Sequence, residues 1–289
     1  VRMAVRKYFR LLNPLPPVGG LEVNDAVIRF LLIQSGRFVV ASLRLPPGIV
    51  MGGVLHDRAH FILALRNVHE QISSLGKIIH VIALLPPADV SLQPFSLPAL
   101  PQSQLEEAVK LNLTMISPLP SESAYASAER LYSASPDINH IDFLGAFAEA
   151  KRVDEFIAAF KEVGFIVAAF EFPALALVRT ARELGDIPFR DDPYLLVQVT
   201  GDGISFMVVR NTGLYFNHFR PWSAISEETG ARVVTEEAFL SFFRVEVQKV
   251  FNFYTSRWGG TVTNVVLVAG ALHERIASFL KHEFGCIVY

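Results

Sequence analysis

The run His56-Asp57-Arg58-Ala59-His60 is the first place where residue types and spacing could do chemistry. It resembles the His-Glu-x-x-His zinc motif with Asp in place of Glu, a chemistry that needs both imidazoles on one helical face. Asp57, however, is a good N-cap for a helix that places Phe61, Leu65, Val68, Ile72 and Leu75 on one face and stops at Gly76. With Asp57 as the cap, His56 lies outside the helix and the two rings diverge, so no metal site is expected. The remaining histidines (His69, His80, His140, His218, His273 and His282) show no ligand spacing. Ser205 and Ser223 stand in no nucleophile elbow, and no Gly-x-x-x-x-Gly-Lys loop is present. No catalytic residue is assigned. The single cysteine, Cys286, excludes an internal disulfide framework and a Cys-based zinc site.

Of the 289 residues, 51% are hydrophobic and 19% charged, which excludes a disordered chain and leaves room for two buried cores. The 26 Lys plus Arg are balanced by 28 Asp plus Glu, so the surplus of clustered cations that nucleic-acid binding requires is missing. Mean hydropathy is high at +0.36. No stretch of 18 apolar residues is free of charge or proline; Val163 to Val178 comes nearest and is interrupted by Glu171 and Pro173. No spanning segment or signal peptide is therefore expected, and the cytoplasm is the expected compartment. The segment Val1 to Arg10, with Arg2, Arg6, Lys7 and Arg10 among apolar residues, reads as a short basic amphipathic helix for acidic lipid or a partner, or else as a solvated terminus.

These residues must be positioned by a fold, and the hydrophobic pattern shows a duplication. Val27 to Ile33 and Phe38 to Leu45 are β-rich runs separated by turn residues at Asn24-Asp25 and Ser35-Gly36, a three-stranded meander from Leu21 to Leu45. The plan recurs as Tyr194 to Val199, Ile204 to Val209 and Leu214 to Phe219, with turns at Gly201-Asp202-Gly203 and Asn211-Thr212-Gly213. Each meander leads to a helix built to cover a sheet, the second through Phe239, Phe243, Val247, Val250 and Tyr254. Between the halves, strands at Lys77 to Leu85, Ile141 to Ala148 and Phe165 to Phe172 alternate with helices. One helix opens on a Ser103-to-Glu106 capping box, and the other runs from Val153 to Val163. The block reads as a small α+β insert of ferredoxin-like type.

Several motifs, in order, carry a family resemblance. Leu45-Pro46-Pro47-Gly48-Ile49-Val50 is followed by Gly53 and His56-Asp57. Further on, Leu97-Pro98-Ala99-Leu100-Pro101 enters Leu105-Glu106-Glu107-Ala108-Val109 and leads to Ile116-Ser117-Pro118-Leu119-Pro120. Val163-Gly164-Phe165, Pro173-Ala174-Leu175-Ala176-Leu177, Glu246-Val247-Gln248, Phe253-Tyr254 and Val265 to Gly270 continue the series. Together these resemble the type IV pilus assembly protein PilM family over most of the chain. The resemblance implies an α/β, actin-like fold: duplicated ribonuclease-H-like subdomains around a cleft, with an inserted α+β subdomain. The expected division is an N-terminal arm at 1–17, a first actin-like subdomain at 18–76 and 173–193, the insert at 77–172, and a second subdomain at 194–289. Only about a dozen residues separate the second meander from the Glu236 helix, so the extra subdomain that the family places there is expected to be reduced or absent. The chain also stops at Cys286-Ile287-Val288-Tyr289, where the family adds a last helix; a boundary there, or a bitopic parent with a later membrane segment, would account for it.

The family's ATP site uses Asp-x-Gly in both halves, so that backbone N–H groups approach the phosphates and carboxylates hold a metal. Here the first position reads Glu22-Val23-Asn24-Asp25: the acid is kept as Glu, while Asn replaces Gly and an extra Asp stands at the turn. In the second half the motif becomes Gln198-Val199-Thr200, a neutral and poorer metal ligand, followed by a turn kept flexible by Gly201 and Gly203. The adenosine-side glycines reduce to Ala269-Gly270-Ala271. The expectation is a degenerate nucleotide cleft of Glu22, Asn24, Asp25, Gln198, Thr200, Gly201 and Gly270, with no cofactor and no metal: a pseudo-ATPase.

By resemblance, the expected role is a non-catalytic cytoplasmic scaffold, peripheral at the inner membrane, in type IV pilus or related secretion machinery. It would bind the cytoplasmic tail of an inner-membrane assembly protein, a PilN-like peptide, in an apolar groove between the first subdomain and the insert. Self-association is a further expectation. The alternatives are an active ATP-binding actin-like ATPase and the cytoplasmic domain of a bitopic secretion protein. The 23 phenylalanines are expected mainly in cores, with some left for that groove.

Overall fold

The computed structural model describes residues 16–131, 139–184, 187, 192–210, 213–229 and 235–289. The basic segment Val1 to Arg10 and the Asn211-Thr212 turn lie outside these residues. The chain divides into two compact units: residues up to Leu85 together with Asp154–Glu171, and Pro86–Val153 together with Phe172–Tyr289.

The first unit is a five-stranded sheet. Strands β1 (Val18–Val23), β2 (Val27–Gln34) and β3 (Arg37–Arg44) form the expected antiparallel meander, with Glu22 opposite Arg29 and Leu31 opposite Val40. The short hairpin β4 (Val50–Met51) and β5 (Val54–Leu55) follows. Next comes α1 (Arg58–Gln71), whose N-cap is Asp57 as the sequence predicts. Strand β6 (Ile79–Leu84) then runs parallel to β1. The fifth strand, numbered β10 below, is parallel to β6, giving the order β10-β6-β1-β2-β3.

Alternation drives the burial. Ile28, Phe30 and Leu32 of β2 face inward with Leu21 and Val23 of β1, and Phe61, Leu65 and Val68 of α1 cover them. Each large aliphatic or aromatic side chain buried in this way contributes about 1.5–3 kcal/mol.

In the second unit, β7 (Val90–Pro98), α2 (Gln102–Ile116), β8 (Ala124–Arg130) and β9 (His140–Glu149) make a three-stranded antiparallel sheet, order β7-β9-β8. Leu105 and Leu113 of α2 pack on Phe95, Phe143 and Phe147 of that sheet. Helix α3 (Ala150–Val163) follows and leads to β10 (Phe165–Glu171), and then to α4 (Pro173–Leu184). The second five-stranded sheet contains β11 (Tyr194–Val199), β12 (Gly203–Arg210) and β13 (Gly213–Pro221) as the second meander. After it come α5 (Trp222–Thr229), α6 (Glu236–Trp258), β14 (Asn264–Val268), α7 (His273–Phe284) and β15 (Ile287–Val288). The strand order is β13-β12-β11-β14-β15, with β11, β14 and β15 parallel.

The two sheets thus share one plan, an antiparallel meander extended by two parallel strands on its first-strand side. The duplication extends beyond the meanders to all five strands, and the meanders stand in two separate sheets.

The boundaries of the insert differ from those expected at 77–172. Ile79–Leu84 and Phe165–Glu171 belong to the first sheet because both pair in parallel next to β1. Phe156 and Phe160 of α3 pack in that sheet's core, edge-on and tilted against Phe61. Helix α4, expected with the first subdomain at 173–193, instead buries Ala174 and Val178 against Tyr194, Leu196, Met207 and Val209 of the second sheet. Leu131 and Leu144 of the three-stranded sheet join the same cluster. The Ser103-to-Glu106 capping box is also absent: α2 begins at Gln102 after Pro101, with no side-chain cap. Between β13 and α6 the described residues are the eight-residue α5 and Thr235, the N-cap of α6.

Candidate functional site

In the first unit the candidate turn joins β1 to β2. Asn24 is buried, and its Oδ1 accepts from the backbone N–H groups of Ala26 (3.1 Å) and Val27 (2.8 Å). Two donors at the turn, of the type a phosphate oxygen would use, are therefore taken by the protein itself. Asp25 is engaged as well. Its Oδ2 accepts from the N–H of Gly52 at 2.6 Å and its Oδ1 from that of Gly53 at 3.1 Å, so it holds the tip of the β4–β5 hairpin. Successive backbone N–H groups make an anion site, and here the anion is an internal carboxylate. Glu22, the retained acid, is ion-paired with its cross-strand neighbour Arg29 at 3.0 Å.

The second unit places Gln198, Thr200 and Gly201 at the end of β11. Gln198 lies opposite buried Ser205 on β12 and beside Val268 on β14. The Thr200 hydroxyl accepts from the Asp202 N–H at 3.3 Å, and the Thr200 N–H donates to the Gly203 carbonyl at 2.9 Å. Trp222, the first residue of α5, locks the turn: its indole Nε1 donates to the Thr200 carbonyl at 2.9 Å and its N–H to the Asp202 carbonyl at 3.0 Å. Gly203 is required by close packing, contrary to the flexible role expected of it. A Cβ there would stand 2.2 Å from the Arg220 carbonyl oxygen and 2.8 Å from the Pro221 Cα. Gly270 follows β14 by two residues, has φ +50° and opens a short 3-10 turn, with open space where a Cβ would point.

The turn residues Glu22, Asn24 and Asp25 come together in one unit, and Gln198, Thr200, Gly201 and Gly270 gather at the ends of two neighbouring strands in the other.

His56 precedes the helix, and His60 Nδ1 lies 2.7 Å from Asp57 Oδ2. Hydrogen bonds from the His60 backbone N–H and then its ring hold the Asp57 carboxyl below the usual range. Among the described residues, no group of three or more His, Cys, Asp or Glu side chains is placed to hold a metal ion. The Cys286 thiol is free and buried, and burial pushes its pKa up.

One polar cluster was not singled out in the sequence for its chemistry. Glu246 of α6 is 1% exposed and takes His218 Nε2 at 2.8 Å on one carboxylate oxygen and Lys249 Nζ at 2.8 Å on the other. Burial pushes its pKa up, but the Lys249 and His218 hydrogen bonds and charges outweigh it, so the carboxyl sits below its ordinary value. The signal was legible: Glu246 is the one acid inside the apolar stripe Phe239, Phe243, Val247 and Val250.

An actin-like fold is the class these two matched sheets define. The chain is similar to the solved structure of the PilM-PilN type IV pilus biogenesis complex, with a TM-score of 0.76 and 17% sequence identity, covering 94% of this chain and 87% of that chain. It is also similar to the ethanolamine utilization protein EutJ from Carboxydothermus hydrogenoformans, with a TM-score of 0.51 and 11% identity, over 96% of this chain and 85% of that one. No protein-family model matches the chain, and no curated protein does.

Proposed function

We propose that this protein is a non-catalytic scaffold of type IV pilus or related secretion machinery, working at the cytoplasmic face of the inner membrane and binding the cytoplasmic tail of an inner-membrane assembly protein. The observation that carries the non-catalytic part is the first turn, where Asn24 and Asp25 consume the backbone donors of residues 26, 27, 52 and 53. A triphosphate would have to displace two side chains from hydrogen bonds already made, at about 0.5–1.5 kcal/mol for each neutral bond and more for those to the carboxylate. Gln198 supports the same reading because it removes a carboxylate from the second half. The partner part is supported by the likeness to the PilM-PilN complex. Among the described residues no helix is long and apolar enough to cross a membrane.

Titrating labelled peptides from the N-terminal tail of the inner-membrane protein encoded beside this one tests the reading. Micromolar affinity, about 8 kcal/mol, is expected; no binding below millimolar would remove the proposal. An ATP-binding actin-like ATPase is the second reading, favoured by the open space at Gly270.

A further inference from the structure

The β4–β5 hairpin turns on Gly52 and Gly53, which have φ +57° and +81°. Positive φ at both central residues is the I′ arrangement of a two-residue hairpin. The closing bond of such a turn runs between the flanking residues, so the N–H groups of the two glycines must find an acceptor elsewhere. Both find the same one. Gly52 donates to Oδ2 and Gly53 to Oδ1 of Asp25, at 2.6 and 3.1 Å, so two successive N–H groups converge on the two oxygens of one carboxylate. Convergent N–H groups on successive residues form a nest for an oxyanion, and the carboxylate marks where that oxyanion sits.

The nest keeps its shape without Asp25. Its conformation is set by the two glycines and by the pairing of Val50 with Leu55 and of Met51 with Val54. The base of the hairpin is anchored separately: Ile49 and Val50 are buried in the core of the first sheet, and the Ile49 carbonyl accepts from the N–H groups of His56 and Asp57 at 2.9 and 3.2 Å. Asp25, by contrast, reaches in from the β1–β2 turn, 27 and 28 residues away in the chain. Its bond to Gly52 is exposed to solvent, and a Cβ on Gly52 would meet nothing within 4 Å, so the tip has room for a group from outside the chain. We propose that the Gly52–Gly53 tip is an oxyanion site plugged by Asp25: it takes two acceptor oxygens of a phosphate or carboxylate group when Asp25 is withdrawn, and the native chain holds it closed with its own side chain. The inference rests on the reading of the first turn as closed to nucleotide and divides that closure in two. Asn24 occupies the donors of the turn itself, and Asp25 occupies those of the hairpin.

Asp25→Ala in the full chain tests this, with inorganic phosphate and sodium acetate as the probes. Isotope labelling confined to glycine reports on the site by nuclear magnetic resonance, and the Gly52 and Gly53 amide signals are assigned by their loss in Gly52→Ala and Gly53→Ala. In Asp25→Ala, either probe at about 20 mM and constant ionic strength is expected to shift both signals saturably. The melting temperature is expected to rise by about two degrees or more, as for a ligand at several times its dissociation constant. In the native chain neither the signals nor the melting temperature should move. Asp25→Ser serves as the second variant if Asp25→Ala fails to fold. Three results would overturn the proposal: no shift of the two signals in the folded variant, equal shifts in the native chain, or shifts spread evenly over glycines far from the hairpin. Failure of the variant to gain an anion site removes this inference alone and leaves the non-catalytic reading standing. Binding of ATP with magnesium to the native chain would remove both.

Discussion

The Asp25 carboxylate lies 2.6 Å from the backbone nitrogen of Gly52, a contact across 27 residues of chain that fixes the β4–β5 hairpin to the first turn of the sheet. Charge-assisted bonds of this type are worth about 1.5–3 kcal/mol. Asp25→Ala is therefore expected to lower stability by about 1–3 kcal/mol in urea denaturation, with Asp25→Asn falling between it and the native chain. Equal stability of all three would show that the carboxylate does not serve the hairpin.

Gly203 and Gly270 separate two reasons for a glycine. Gly203→Ala drives a Cβ into the Arg220 carbonyl at 2.2 Å, so β12 and β13 must part. Gly270→Ala meets open space and bears only the strain of φ +50°. The first is expected to cost more than about 2 kcal/mol and the second about 1 kcal/mol or less. Thermal melts of the two variants, compared side by side, check the order.

Much of the fold was legible, and the failures have physical causes. The meanders show in the sequence because turn residues at Asn24-Asp25, Ser35-Gly36 and Gly201 to Gly203 bracket short β-rich runs, a local signal. The assignment of Ile79–Leu84 and Phe165–Glu171 to the first sheet is not local. Both are short apolar runs that fit any sheet, and their pairing with β1 and with each other spans tens of residues. Two strands were missed outright. Val90–Pro98 carries Pro94, tolerated because β7 is an edge strand, and Ala124–Arg130 is mostly exposed and has no apolar alternation. At the candidate site the substitution of glycine by Asn24 was readable, but the use of Asp25 was not, since its partners are backbone groups of a distant hairpin.

Glu246 should make stability depend on acid pH. Its pKa in the folded chain lies below the ordinary value of 4.5, so its contribution is complete above that value and is lost as pH falls through the lower, folded one. Glu246→Gln is expected to be about 1.5–3 kcal/mol less stable at neutral pH. The gap should narrow below about pH 4.5 as the native carboxyl protonates. A gap that stays constant from neutral to acid pH would mean that the His218 and Lys249 contacts do not act through charge.

Tyr194 governs the alkaline side. Burial pushes its phenol up to about 12, partly offset by the charge of Arg182. The unfolded chain ionises this group from about pH 10, while the folded chain keeps it neutral, so stability declines as pH rises between the two values. Tyr194→Phe is expected to flatten that decline. An unchanged alkaline slope in denaturant titrations would assign the loss to other groups.

The account turns on whether the first turn, closed by Asn24 and Asp25, still accepts a nucleotide. Calorimetric titration of the full chain with ATP and magnesium addresses this directly. A flat trace is predicted, with no shift in melting temperature at millimolar ATP, because a ligand that does not bind the folded chain cannot stabilise it. A micromolar dissociation constant, accompanied by a melting shift of several degrees, would contradict the account and restore the ATPase reading.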